Sequence, residues 1–190
     1  MLGYEDLEKG IIFILEGKPY EILEFKEVHR GRGGAVAKGK IRNLITGRIL
    51  EKTFHPSDEF EEAEVEKVPI KFLYSHRGNF YFCEINEARA RFKFSEEKIG
   101  ENKKFLIPNL ILTGLKFQGK IVNIKLPIKL QVKVKEAPPS LKGERVQGGT
   151  KPVILENGME INVPSFIEEG NIIEINTETQ EYVRRILKKE

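Results

Sequence analysis

The sequence predicts an all-β protein built from three small β-barrels, and three observations carry that prediction. Short apolar and β-branched runs recur along the chain with Gly, Pro, Asn and Asp between them. Helical periodicity is confined to one short segment. The turn residues return at roughly eight- to twelve-residue spacing, the interval of small antiparallel barrels. A chain of 190 residues has room for several such units, and the pattern divides it at 1–64, 65–127 and 128–190.

In the first unit Ile11–Leu15 is a buried run closed by the turn Glu16-Gly17-Lys18-Pro19. Tyr20–Val28 and Ala35–Leu44 read as the two strands of a hairpin, and Arg48–Phe54 follows the turn Thr46-Gly47. His55-Pro56-Ser57-Asp58 interrupts the pattern, and the acidic stretch to Glu64 reads as solvated surface. In the second unit, Ile70–Tyr74 and Phe80–Ile85 flank Arg77-Gly78-Asn79 as a hairpin. Ser95 is a helix N-cap, Glu96 and Glu97 favour the first turn, and Gly100 ends one short helix. Leu110–Phe117 and Lys120–Leu126 are strands around Gln118-Gly119, and Pro127 marks a boundary. The third unit opens on Ile128–Lys135, where Ile128, Leu130, Val132 and Val134 alternate with polar residues and predict one buried face. A Pro- and Gly-rich loop spans Ala137–Thr150. Asn157-Gly158, between Val153–Leu155 and Met159–Val163, is the strongest short hairpin signal in the chain. Asn171–Asn176 and Tyr182–Leu187 complete the unit, and the last two units suit five-stranded OB-folds.

Charge distribution says more than the net value of +3. From Lys26 to Lys52 there are eight Lys/Arg against Glu27 and Glu51, and from Lys116 to Lys151 nine against Glu136 and Glu144. Arg184, Arg185, Lys188 and Lys189 make the tail basic. Basic patches separated by an acidic one point to a polyanion touched at several places.

The hairpin is the most distinctive stretch. Arg32 stands between Gly31 and Gly33, with Gly34 next and Arg30 before them. Its guanidinium is permanently charged and carries a planar fork of donors suited to phosphate, ribose or carboxylate. Lys38, Lys40 and Arg42 extend the basic character along the returning strand.

Other chemistry is weakly represented. Gly34-x-x-x-x-Gly39-Lys40 approaches a phosphate-binding loop, but Ile41 replaces the hydroxyl residue and the context is a strand rather than a strand–helix junction. His29, His55 and His76 are scattered and Cys83 is the single cysteine, so no zinc spacing exists. No metal, no cofactor and no catalytic residue is expected. Phe92, Phe94 and Phe105 are candidates for stacking on bases, with core as the expected fate of each. No apolar run reaches membrane-spanning length, Met1–Asp6 lacks a signal-peptide pattern, and a lone cysteine suits a reducing compartment, so the expected place is the cytoplasm. The residues themselves lead as far as a modular β protein that contacts structured RNA.

Several ordered motifs then resemble the bacterial elongation factor P family. Gly39-Lys40-Ile41-Arg42-Asn43-Leu44-Ile45-Thr46-Gly47, continuing through Glu51-Lys52-Thr53-Phe54, is similar to the family's stretch after its hairpin tip. Gly100–Leu106 resembles a central-domain motif, and Leu141-Lys142-Gly143 with Gln147–Pro152 resembles the third-domain loop. Gly158–Pro164, ending at Gly170, is similar to the family signature.

The resemblance implies a KOW-like barrel followed by two OB-folds in an L-shaped, tRNA-like arrangement. It implies a monomeric, non-enzymatic factor that binds the ribosome beside peptidyl-tRNA and promotes peptide bonds between consecutive prolines. Arg32 falls at the family's tip position, flanked by Gly31, Gly33 and Gly34, and is the residue that an arginine-modifying enzyme would alter. Arg30, Lys38, Lys40, Arg42, Lys142, Arg145 and Lys151 are the expected contacts to rRNA and peptidyl-tRNA. Gly143, Glu144, Arg145, Gly148 and Gly149 correspond to the loop near the exit-site codon and stalk. Three departures stand out: Arg30 where a proline often precedes the tip, Glu144-Arg145 where Asp-Thr is usual, and Val153 for alanine. Two alternatives remain at this stage. One is the elongation-factor-P-like paralogue, against which the Gln-Gly-Gly-Thr-Lys-Pro loop argues. The other is a general RNA-binding β-barrel, which leaves the ordered motifs unexplained.

Overall fold

The computed structural model describes residues 1–29, 35–87, 89–139 and 149–187. Three antiparallel sheets follow one another along the chain. The first contains β1 (Leu2–Gly3), β2 (Ile12–Leu15), β3 (Lys18–His29), β4 (Ala35–Asn43), β5 (Ile49–Phe54) and β6 (Glu59–Glu62). Their order is β1-β6-β2-β3-β4-β5. Phe13, Tyr20, Ile22, Ala37, Ile41, Phe54 and Phe60 fill its core. The acidic stretch is therefore not plain solvated surface. Its first half is strand β6, with Phe60 turned inward and Glu59, Glu61 and Glu62 outward. One inward apolar residue among carboxylates is too short an alternation to recognise in sequence.

The second sheet contains β7 (Glu66–His76), β8 (Asn79–Glu84), β9 (Arg91–Ser95), β10 (Ile111–Phe117) and β11 (Lys120–Lys125). Their order is β11-β10-β7-β8-β9. The short helix α1 (Glu96–Ile99) follows β9, and the Ser95 side chain accepts a hydrogen bond from the Lys98 N–H as a cap. The third contains β12 (Lys129–Glu136), β13 (Thr150–Leu155), β14 (Glu160–Pro164), β15 (Ile172–Asn176) and β16 (Tyr182–Ile186), in the order β14-β13-β12-β15-β16. In both, the first strand lies centrally between the second and fourth, which is the strand order of an OB-fold. Leu130, Val132 and Val134 are buried as the alternation predicts. Ile128 is not: it is 53% exposed, and its carbonyl accepts hydrogen bonds from the backbone N–H and the hydroxyl of Thr177.

Consecutive barrels are joined by apolar contacts. Leu44, in the turn that follows β4, forms a buried cluster with Leu115 and Val122 of the second sheet. At the other joint Phe105, 2% exposed, belongs to the core of the third barrel, and Leu110 and Leu126 pack against both cores. The Lys104 ammonium donates to the Gln180 side-chain oxygen at 2.9 Å, and the Asn157 amide donates to the Lys104 carbonyl at 2.7 Å. Asn157 thus serves both its own hairpin turn and the joint.

Candidate functional site

The β3–β4 hairpin dominates the first barrel. Nine of the twelve residues of β3 pair with the nine of β4, and twelve extended residues span about 40 Å. The last pairs, Val28 with Val36 and His29 with Ala35, lie beyond the final β4–β5 pair, Ala37 with Phe54. Both strands are β-branched or alternating where they cross the barrel, so one side is core and the other faces solvent.

The solvent side is both basic and acidic. Glu24 lies opposite Lys40 and Lys26 opposite Lys38, with Thr53 and Glu51 next on β5. With Gly39 and Lys52 they line an open groove of about 480 Å³. The Lys40 ammonium donates to Glu24 at 3.0 Å, and Lys26 lies 3.8 Å from the same carboxylate. The hydrogen bond and charge of Lys40, helped by Lys26, hold the Glu24 carboxyl below its ordinary range. Arg42 donates from Nη2 to Glu21 at 2.6 Å in a more enclosed pair. The sequence count of positive charge leaves out Glu21 and Glu24, which sit across the hairpin from those cations. Lys38 alone of the three predicted phosphate contacts on β4 is exposed without an ion pair to a described residue.

Gly39 has a packing reason. A Cβ there would lie 2.7 Å from the Glu24 carbonyl oxygen and 2.9 Å from a ring carbon of buried Phe54. The near phosphate-loop spacing therefore reflects a strand that needs glycine where an aromatic ring crosses it. The turn after β4 is equally specific. The Asn43 side chain accepts from the N–H groups of Ile45 and Thr46, both at 2.9 Å, which closes the turn to Gly47. The Ile45 carbonyl then receives the Lys98 ammonium at 2.7 Å from the second barrel. Lys98 also lies over the Phe94 ring, 4.2 Å from its centroid. Burial pushes its ammonium down to about 8, while the carbonyl and the ring face favour the charged form.

Of the remaining predicted residues, Arg30, Gly31, Arg32, Gly33 and Gly34 lie outside the described residues, as do Lys142, Gly143, Glu144, Arg145 and Gly148. Gly149 immediately precedes β13. Lys151 is buried and donates to the Pro138 carbonyl at 2.8 Å, which leaves little surface for a phosphate. Phe94 and Phe105 are core, Phe92 packs on the edge of the second core, and Cys83 is a buried free thiol. Among the described residues no group of His, Cys, Asp or Glu could hold a metal, and no helix is long and apolar enough to cross a membrane. The two joints, through Lys98 and Phe105, are not legible in the sequence as contacts between barrels. Their only signal is that Phe105 falls inside the central-domain motif.

Successive small barrels carrying one long, charge-lined hairpin define a class of modular β-barrel binding proteins. Known proteins make the class specific. Residues 4–60 match the family model "Elongation factor P (EF-P) KOW-like domain", and residues 130–185 match "Elongation factor P, C-terminal". Elongation factor P of Desulfatibacillum aliphaticivorans is 39% identical over 188 residues, covering 99% of this chain and all of that protein. Elongation factor P of Bdellovibrio bacteriovorus is 38% identical over 189 residues, covering the whole of both. A solved structure of eukaryotic translation initiation factor 5A from Methanococcus jannaschii overlays with a TM-score of 0.47 at 15% identity, covering 66% of this chain and 90% of that one. The chain belongs to the elongation factor P family, which makes it a ribosome-binding translation factor and not an enzyme.

Proposed function

We propose that this member is of the arginine-tip type and promotes peptide-bond formation between consecutive prolines, with Arg32 directed at the peptidyl-transferase centre. The observation that carries the reading is the length of the β3–β4 hairpin, whose described strands run outward to His29 and Ala35, the two residues that bracket the Arg32 segment. The mechanism is positioning. A planar, permanently charged fork that steadies the end of peptidyl-tRNA lowers the entropic barrier of a reaction carried out by rRNA. Proline benefits most because its ring fixes φ and restricts the attacking geometry.

In this reading the chain works as a cytoplasmic monomer between the exit site and peptidyl-tRNA, divided at 1–64, 65–127 and 128–190. Lys38, which has no carboxylate partner among the described residues, is the readiest phosphate contact on β4. Lys142 and Arg145 add phosphate contacts, and residues 143–149 approach the exit-site codon and stalk. Arg32 is the residue an arginine-modifying enzyme would take as substrate. Cryo-electron microscopy of the protein added to ribosomes stalled on a Pro-Pro-Pro message tests the placement. Density beside peptidyl-tRNA with the hairpin entering the peptidyl-transferase centre is expected, and density elsewhere on the ribosome contradicts it.

A further inference from the structure

The outer face of the middle barrel carries an aromatic pair that the fold does not require. Tyr74 is 47% exposed, yet its ring stacks on Tyr81 with centroids 4.7 Å apart and planes 21° apart. The two residues face each other across β7 and β8. A register shift between Phe72 and Tyr74 inserts Leu73 and brings Tyr74 to the same face as Lys71. Phe80 and Phe82, the neighbours of Tyr81, point inward and are buried, so Tyr81 points out. Lys93 lies directly beside Tyr81 on β9, and Arg91 follows two residues earlier on the same face. Lys71, beside exposed Ile111, closes the other side.

Lys71, Arg91 and Lys93 make no ion pair with any described residue. That separates this face from the hairpin, where carboxylates hold two of the three β4 cations. The nearest acid along β8, Glu84, is already engaged by Lys116 at 3.2 Å. The surface therefore combines a preformed aromatic stack with three uncompensated cations. An apolar partner would leave the cations unpaired, and an acidic peptide would make no use of the ring faces. Nucleic acid uses both, since bases stack on aromatic rings and phosphates meet the flanking cations. The face spans the first three strands of the barrel, with Tyr81, Arg91 and Lys93 on the second and third, the strands whose face holds oligonucleotides in OB-folds.

We propose that the Tyr74–Tyr81 stack, flanked by Lys71, Arg91 and Lys93, binds an unpaired RNA base and its adjoining phosphates. The site belongs to the middle barrel and does not depend on Arg32. It gives the factor a second, stacking hold on RNA besides the electrostatic one of the hairpin.

The test is fluorescence anisotropy of the full chain with a short fluorescein-labelled single-stranded RNA, and with the same RNA as a duplex. Single strand should bind more tightly than duplex. Tyr74→Ala and Tyr81→Ala should each weaken single-strand binding about tenfold at constant salt, whereas Tyr74→Phe should bind as wild type. The tyrosine variants should leave the salt dependence unchanged, while Lys71→Ala and Lys93→Ala should each reduce its slope by about 0.7. Circular dichroism melting confirms that each variant is folded. Wild-type RNA affinity in folded Tyr74→Ala and Tyr81→Ala overturns the proposal. If those variants keep RNA affinity but lose affinity for ribosomes, the face meets a ribosomal protein and the RNA assignment is wrong. Retained ribosome binding through the hairpin, alongside lost single-strand binding, supports the platform separately from the tip.

Discussion

Phe105→Ala should loosen the joint between the second and third barrels as well as destabilise the third. Phe105 follows the short helix of the second barrel in sequence, yet it is 2% exposed within the third barrel's core. Truncating a phenylalanine buried to this degree costs about 3–5 kcal/mol. A barrel of roughly sixty residues has only about 3–9 kcal/mol in total. The polar contacts left at the joint, Lys104 to Gln180 and Asn157 to the Lys104 carbonyl, contribute about 1 kcal/mol each and cannot make good the loss. With a urea dependence of about 1.5 kcal/mol per molar, the unfolding midpoint of the third barrel should fall by about 2–3 M. Urea titration followed by circular dichroism measures the midpoint, and small-angle scattering of the still-folded variant reports whether the barrels separate. An unchanged midpoint would refute the assignment of Phe105 to the third core. A lowered midpoint with unchanged scattering would refute its role as the joint.

Two further substitutions probe the hairpin and the first joint. Gly39→Ala forces a Cβ against the Glu24 carbonyl and the Phe54 ring, so it should destabilise the first barrel by about 1–3 kcal/mol and lower its melting temperature by several degrees; a variant as stable as wild type would contradict the packing account. Lys98 should give a pH signature. With a folded value near 8 against 10.5 for the free side chain, the unfolded chain holds the proton more tightly between those values, so stability rises with pH across that window. The difference in urea midpoint between wild type and Lys98→Met should move in favour of wild type from pH 8 to 10.5, and a flat difference would show that Lys98 is not held as described.

Much of this architecture is legible in local chemistry. Asn157-Gly158 requires a hairpin, Ser95 caps its helix, and Leu130, Val132 and Val134 alternate as a half-buried strand must. The elements that escape the sequence are those whose signal is not local. Strand β6 has one inward aromatic among carboxylates, and its pairing with β1 and β2 is decided by the barrel that surrounds it. The hairpin looks more basic in sequence than it is in space, because Glu21 and Glu24 precede the counted segment but lie across from Arg42 and Lys40. Lys151 reads as a surface cation until the fold buries it against Pro138. The tyrosine platform depends on a single inserted residue, Leu73, and a one-residue slip in register reverses which side chains share a face.

The central proposal is that Arg32 acts on proline chemistry and is not one more contact to phosphate. The direct measurement is single-turnover peptide formation with wild type and Arg32→Ala, on a Pro-Pro message and on a message without proline, with ribosome binding assayed in parallel. The account predicts that Arg32→Ala keeps most of its affinity, leaves ordinary peptide bonds at their usual rate, and slows Pro-Pro formation towards the rate without the factor. Equal Pro-Pro rates for wild type and Arg32→Ala, with both proteins bound, would contradict it.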